Sequence, residues 1–449
     1  MKWSYPLFLA LILLACEKTD WPRSSNQSKH YQFTNVQLFG GTEEDVAHDV
    51  IATADGGFAV LGNTKSSNGD IVDKTTEISD LLFIKYNSNG EKEWSATYGG
   101  SGDDRGHSLV QLVDGGYALL GYSMSSDLDA SVNQGQHDNW VIRITATGNI
   151  LWEKSFGFAG HDHAYNIIAT QDGGLLFNGF LDVTSSGGAG ASSKTNANSA
   201  RHGVGEFWVH KIDLNGNIQW RYYFGGSNND RSYDAVETTE GDFILVGTSE
   251  SNDVDISQAR GDYDIWVVKI NAAGQMMWEK SLGGSAYDGA NAVALDTEDN
   301  IFVFGHTLSQ NVDISSPLGN ADAWLAKLNG EGELLQEFTY GGTAFDLGRD
   351  LTIDNEQQLW LCGYSRSADI DLTENNGDND VFLMQLNNRL LPNQTFSLGG
   401  NAADLAQAMT FLPDNSIVVV GSTESTDEPF RNNRGNKDIF IARWQPIVE

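Results

Sequence analysis

A seven-fold internal repeat constrains this chain more than any single motif. A residue pair opening with glycine recurs at Gly40, Gly99, Gly157, Gly225, Gly283, Gly341 and Gly399, in steps of 58 or 59 residues apart from one of 68. A copy of that size cannot bury its apolar faces alone, so the copies must pack against one another. The copy opening at Gly225 contains four strand-like segments: Tyr233 to Thr238, Phe243 to Thr248, Ile265 to Asn271 and Gln275 to Leu282. Each has ordinary strand length. Asp55-Gly56-Gly57, Asp114-Gly115-Gly116 and Asp172-Gly173-Gly174 predict tight hairpins between the first and second strands. Asn89-Gly90 and Asn215-Gly216 do the same between the third and fourth.

The two ends of the repeat region complement each other. Tyr31 to Phe39 aligns with the last strand of a copy, whereas the seventh copy stops after its third strand, Asp438 to Arg443. Pairing the first strand with the last copy closes a ring and removes the open sheet edge between the ends. The predicted fold is therefore all-β: a seven-bladed β-propeller of four-stranded blades over residues 31–449, closed by the N-terminal strand. With the first strand of each blade innermost, the blade connections and the loops between strands two and three share one face. That face also carries the insertion at residues 185–203, so it is the elaborated one and the expected binding surface.

Residues 1–15 carry Lys2, an apolar core from Leu7 to Leu14, and then Ala15 and Cys16. They resemble a bacterial lipoprotein signal peptide, with Cys16 as the lipidated first residue and residues 16–30 as a tether. The apolar run is shorter than the roughly 20 residues of a spanning helix. Glu17 in the second position implies, by resemblance to sorted lipoproteins, the outer membrane, with the domain facing the periplasm or the cell surface. A net charge of -34 argues against binding nucleic acid or an anionic lipid surface, and favours cations. With Cys16 acylated, Cys362 has no partner for a disulfide and is expected to be a buried thiol.

Several positions stand out once the copies are aligned. Asp45, Asp104, Asp162, Asp230, Asp288, Asp346 and Asp404 occupy one column, either as a ring of cation ligands or, more simply, as acceptors for backbone N–H groups in their own turns. Three residues on, the column reads His48, His107, Tyr165, Tyr233, Asn291, Arg349 and Gln407. These differ where their neighbours repeat, so they are the candidate ligand contacts at the mouth of the channel; drift at a solvated position is the alternative. The loops between strands two and three hold Asp127, Asp129, Ser131 and Asp138, then Asp253, Asp255, Ser257 and Asp264. Asp313 and Asp322 follow in the fifth copy, and Asp369, Asp371 and Asp380 in the sixth. Alternating oxygen ligands with a late carboxylate suit calcium, which takes six to eight oxygens; Asx-turns and strand caps are the alternative. The first and third copies lack the set. Acids opening the third strands, such as Asp80 and Asp264, are expected to pair with the cations five residues on, such as Lys85 and Lys269, across neighbouring blades.

The Gly-Gly, Asp-Gly-Gly and Asp-x-Trp-Val-x-Lys elements resemble the propeller repeats of secreted and lipid-anchored bacterial surface proteins. Lys211 to Trp220 and Arg143 to Trp152 resemble, more weakly, the tryptophan-docking element of quinoprotein-like repeats. The first resemblance implies a propeller but no particular activity. The expected function is a non-catalytic, membrane-anchored lipoprotein whose propeller face binds a protein or a glycan at the cell envelope. Two alternatives stand beside it: a carbohydrate-active enzyme working at the channel mouth through His48, His107, Tyr165, Tyr233 and Arg349, and a calcium-stiffened structural or adhesive surface protein.

Overall fold

The structure, a computed structural model, describes residues 29–192 and 202–447. The expected leader, Cys16 and most of the expected tether lie outside the described residues, as does part of the insertion at 185–203. Strand β1 (Tyr31–Phe39) precedes the first full blade, made of β2 (Asp45–Ala52), β3 (Phe58–Thr64), β4 (Asp80–Tyr86) and β5 (Lys92–Tyr98). These pair in sequence order, and five further blades repeat the arrangement. The seventh sheet runs β1, β28 (Asp438–Pro446), β27 (Ile417–Thr423), β26 (Asp404–Phe411). Antiparallel pairing of β1 with β28 joins Gln37 to Ile441 and Phe39 to Ile439, so the N-terminal strand completes the last blade as expected.

Burial follows from position in the ring. Strands β3 and β4 are buried throughout because neighbouring blades cover both of their faces, which is why they read as unbroken apolar runs. The outermost strand β5 is half exposed. The hairpin glycines Gly56, Gly115, Gly173 and Gly241 have φ of 85°, 83°, 81° and 84°, a conformation that a side chain would resist. Cys362 is fully buried, and its surroundings raise the thiol pKa well above normal.

Outer-strand tryptophans tie blade to blade. The Trp152, Trp220 and Trp278 indoles donate to the carbonyls of Leu214, Ala272 and Gly330 on the adjacent blade at 3.0, 3.0 and 3.2 Å. The expected pairing of charges across blades is not what forms. Lys85, Arg143, Lys211 and Arg443 each reach the hairpin aspartate of their own blade: Asp55, Asp114, Asp172 and Asp414. Those hairpins lie at the end of the blade where the cation emerges, whereas the acid opening the third strand lies at the other end. Asp80 pairs with Lys74 instead, at 2.8 Å.

Candidate functional site

Each blade connection is held by carboxylates. At the fourth inner strand, four consecutive amides donate to side chains: Gly225 to Asp255 at 3.2 Å, Gly226 to Asp230 at 2.7 Å, Ser227 to Asp253 at 2.9 Å and Asn228 to the Ser251 hydroxyl at 3.0 Å. The other oxygen-bearing loops repeat this. Asp129, Asp313 and Asp371 take the amides of Gly99, Gly283 and Gly341, while Asp127 and Asp369 take those of Ser101 and Thr343. In the first copy Asn68 and Asp70 play the same two roles, although no repeat of the oxygen set was expected there. The aspartate column itself is fully buried, and burial raises Asp162 to about 7 and Asp230 to about 6.

The other members of the candidate calcium set also have local partners. Ser131 and Ser257 donate to Glu153 and Glu279, the same glutamates that accept from the buried indoles of Trp140 and Trp266. Asp138, Asp264, Asp322 and Asp380 cap the amides of Gln134, Arg260, Leu318 and Asn376. The oxygen spacing thus serves the connection directly, with carboxylates accepting N–H groups that would otherwise stay unpaired.

The variable column has a structural cause. In all seven inner strands the ladder slips at one residue: between Ala47 and Asp49, Gly106 and Ser108, Ala164 and Asn166, and so on around the ring. The residues skipped are His48, His107, Tyr165, Tyr233, Asn291, Arg349 and Gln407. Each is the extra residue of a β-bulge, which leaves it out of the ladder and redirects its side chain. The bulge needs a glycine opposite. A Cβ on Gly62, Gly121 or Gly247 would come within 1.9, 1.8 and 1.9 Å of the carbonyl oxygens of Val46, Arg105 and Arg231.

The structure brings all seven bulge residues onto the wall of one central cavity of about 390 Å³. Half of the ring is a run of aromatic contacts: His48 to His107 at 4.8 Å between ring centroids, His107 to Tyr165 at 5.2 Å and Tyr165 to Tyr233 at 5.0 Å. The other half is polar. The Asn291 amide donates to the Gly348 carbonyl at 2.7 Å, and the Arg349 guanidinium to the Gln407 side-chain oxygen at 2.5 Å. Tyr287 and His306, which the aligned columns did not reveal, join the wall and stack on each other at 5.5 Å. Tyr287 sits in a blade connection and His306 near the end of a second strand, so the cavity lies toward the elaborated face.

Beneath the bulge residues, Asp49, Asp234 and Asp350 also line the cavity. They staple one inner strand to the next, accepting the amides of Leu109, Val293 and Met409 at 2.9, 2.7 and 2.7 Å. Burial, and repulsion among the three carboxylates, raise Asp234 to about 7 and Asp350 to about 8. Burial, with Arg349 nearby, lowers His48 and His306 to about 4, so both imidazoles are neutral at pH 7 and can donate on one nitrogen and accept on the other. His107 Nε2, His306 Nδ1, Arg349 Nε and Asn166 Oδ1 are buried without a hydrogen-bond partner. All four residues belong to the cavity wall, beside its aromatic rings.

No family model matches the chain. Regulatory protein FlaEY of Caulobacter vibrioides is 22% identical over 448 residues, covering 89% of this chain and 44% of that protein. The chain thus spans less than half the length of that curated relative. Among solved structures, the WD40 domain of Neurospora crassa Pan2 matches with a TM-score of 0.50 at 8% identity, covering 94% of this chain and 97% of that one. A protein of unknown function from Bacteroides caccae matches with a TM-score of 0.37 at 12% identity, covering 67% of this chain and 81% of that one. The similarity to the Pan2 domain is one of fold.

Proposed function

We propose that the protein is a non-catalytic binding lipoprotein of the bacterial outer membrane, anchored through Cys16, whose central cavity takes a sugar unit of an envelope glycan. The observation that carries the binding site is the ring of seven bulge residues on one cavity wall, with His107 Nε2, His306 Nδ1 and Arg349 Nε left without partners. A sugar presents hydroxyls that donate and accept, and carbon faces that pack on rings such as Tyr165 and Tyr233. Asp49, Asp234 and Asp350 already accept backbone amides, which favours a structural role for them over a pair of free carboxylates working as acid and base. The anchor rests on the lipobox-like sequence ending at Cys16.

Isothermal titration of wild type, Tyr233→Ala and Arg349→Ala against oligosaccharides released from the envelope tests the site. Wild type should bind a saccharide, and each variant should weaken it by at least about tenfold, the factor that 1.4 kcal/mol confers. Equal binding by all three would remove the cavity from consideration. Crosslinking in the native cell that captures one protein through the loop from Asp253 to Asp264, with no saccharide bound, would replace the glycan with a protein partner. Acyl labelling of wild type but not Cys16→Ser tests the anchor.

A further inference from the structure

Three histidines meet at the junction between the second and third blades, on the elaborated face. His137 precedes β8 (Asp138–Ile144), His161 lies in the following blade connection, and His163 opens β10 (His163–Ala169). One ring nitrogen from each lies within 4.8 Å of the others, and among the described residues no other group of three histidine, cysteine or acidic side chains converges in this way. His137 Nδ1 lies 2.7 Å from His161 Nδ1 and 3.1 Å from His163 Nε2. An imidazole nitrogen has one in-plane position, filled by a proton or by a lone pair. His137 Nδ1 therefore cannot make a full hydrogen bond to both neighbours, whichever tautomer it adopts. A cation that accepts a lone pair from each ring removes the conflict.

The propeller itself does not call for these residues. His137 and His161 form a parallel bridge between blades, and the same bridge is made elsewhere by Glu44 with Lys437, Gly205 with Asn229, Tyr263 with Tyr287 and Ala321 with Phe345. Packing steadies the group from below: Tyr122 stacks on His163 at 4.1 Å and meets His137 edge-on at 4.8 Å. Of the cations facing the group, Arg105 is neutralised by two hydrogen bonds to Asp103 at 2.7 and 2.8 Å, and Arg231 lies over the Phe180 ring. His161 is exposed and the other two are half-buried, so an ion can enter from solvent.

We infer that His137, His161 and His163 bind a divalent transition-metal ion, with zinc as the reference case, which clasps the second blade to the third. Three imidazoles suit zinc, copper or nickel, whereas calcium and magnesium require oxygen. Zinc–nitrogen bonds of about 2.0–2.1 Å in a tetrahedron place the nitrogens about 3.3 Å apart, a spacing between the 2.7 Å of the closest pair and the 4.8 Å that bounds the group. Three protein ligands leave the fourth position to solvent on the elaborated face. The site borders the central cavity, since Tyr122 also meets His107 at 5.3 Å.

Untagged, chelator-stripped protein titrated with zinc should take up one equivalent, and cobalt should give the visible absorption of a tetrahedral ion. His161→Ala, an exposed change that leaves the fold intact, should lower zinc affinity at least tenfold and abolish the cobalt bands. His30→Ala should change neither. Zinc should also raise the unfolding midpoint of wild type and not of His161→Ala. Stoichiometric binding retained in His161→Ala, or no tetrahedral cobalt spectrum in wild type, would overturn the assignment.

Discussion

Replacing Asp288 by alanine should be among the most damaging single changes in the domain. Its carboxylate is fully buried and accepts the Gly284 amide at 2.7 Å, the Ser309 hydroxyl at 2.8 Å and the Thr307 hydroxyl. Alanine strands all three donors in a site closed to water. Each unmet buried donor costs about 1–3 kcal/mol. Burial itself raises the Asp288 pKa, so removing the charge returns part of that cost. The net loss should be about 3–5 kcal/mol in urea unfolding at pH 7, whereas Asp288→Asn, which keeps one acceptor oxygen, should lose about half as much. Because the blades share one ring, the loss should appear in a single transition and not as melting of one blade. A loss below about 0.5 kcal/mol, the range of an ordinary surface substitution, would refute the view that these aspartates hold the blade connections.

A chain beginning at Gly40 should be far less stable than one beginning at Lys29, because it loses the ladder to β28 and the buried rings of Tyr31 and Phe39; an unchanged melting temperature would defeat the closure. On the alkaline limb, stability should fall as pH rises from 6.5 to 8, because Asp350 at about 8 and Asp234 at about 7 keep in the folded chain protons that the unfolded chain, at 3.8, has already released. Between pH 4 and 6.5 the same two carboxyls still favour the lower pH while His48 and His306, held near 4 against 6.5 in the unfolded chain, favour the higher, so the two pairs offset each other there. Asp350→Asn should flatten the alkaline limb, measured at high salt to screen the net charge of -34; an unaltered limb would count against a protonated Asp350. Calcium added to EGTA-treated protein should leave the melting temperature within about one degree, because the loop carboxylates already accept backbone amides. A rise of several degrees would establish the calcium sites.

The blades were legible because their turn residues answer to local geometry. Gly56 and its equivalents need positive φ, and Tyr31 to Phe39 fills the strand missing from the last copy, so both survive in sequence as fixed signals. The role of the loop aspartates could not be settled from spacing, since carboxylates at alternate positions suit a hard cation and a row of amides equally well. What spacing could not show is the tertiary approach that lets the Gly225 amide donate to Asp255. The variable column pointed to the cavity without its reason. The bulge that releases His48 from the ladder is written in the pairing of Ala47 with Gly62, and a glycine recurring opposite a small residue is the signal that could have found it. His306 and Tyr287 stand in different columns of the repeat, and so do His137, His161 and His163 among themselves. Only folding brings them together.

The most direct test of the binding site is a crystal structure of the protein with an envelope saccharide that it binds in solution. Sugar hydroxyls should lie within hydrogen-bond distance of His107 Nε2, His306 Nδ1 and Arg349 Nε, with a sugar face against Tyr165 or Tyr233. A saccharide seated on the outer loops, with no contact to the seven bulge residues, would contradict it.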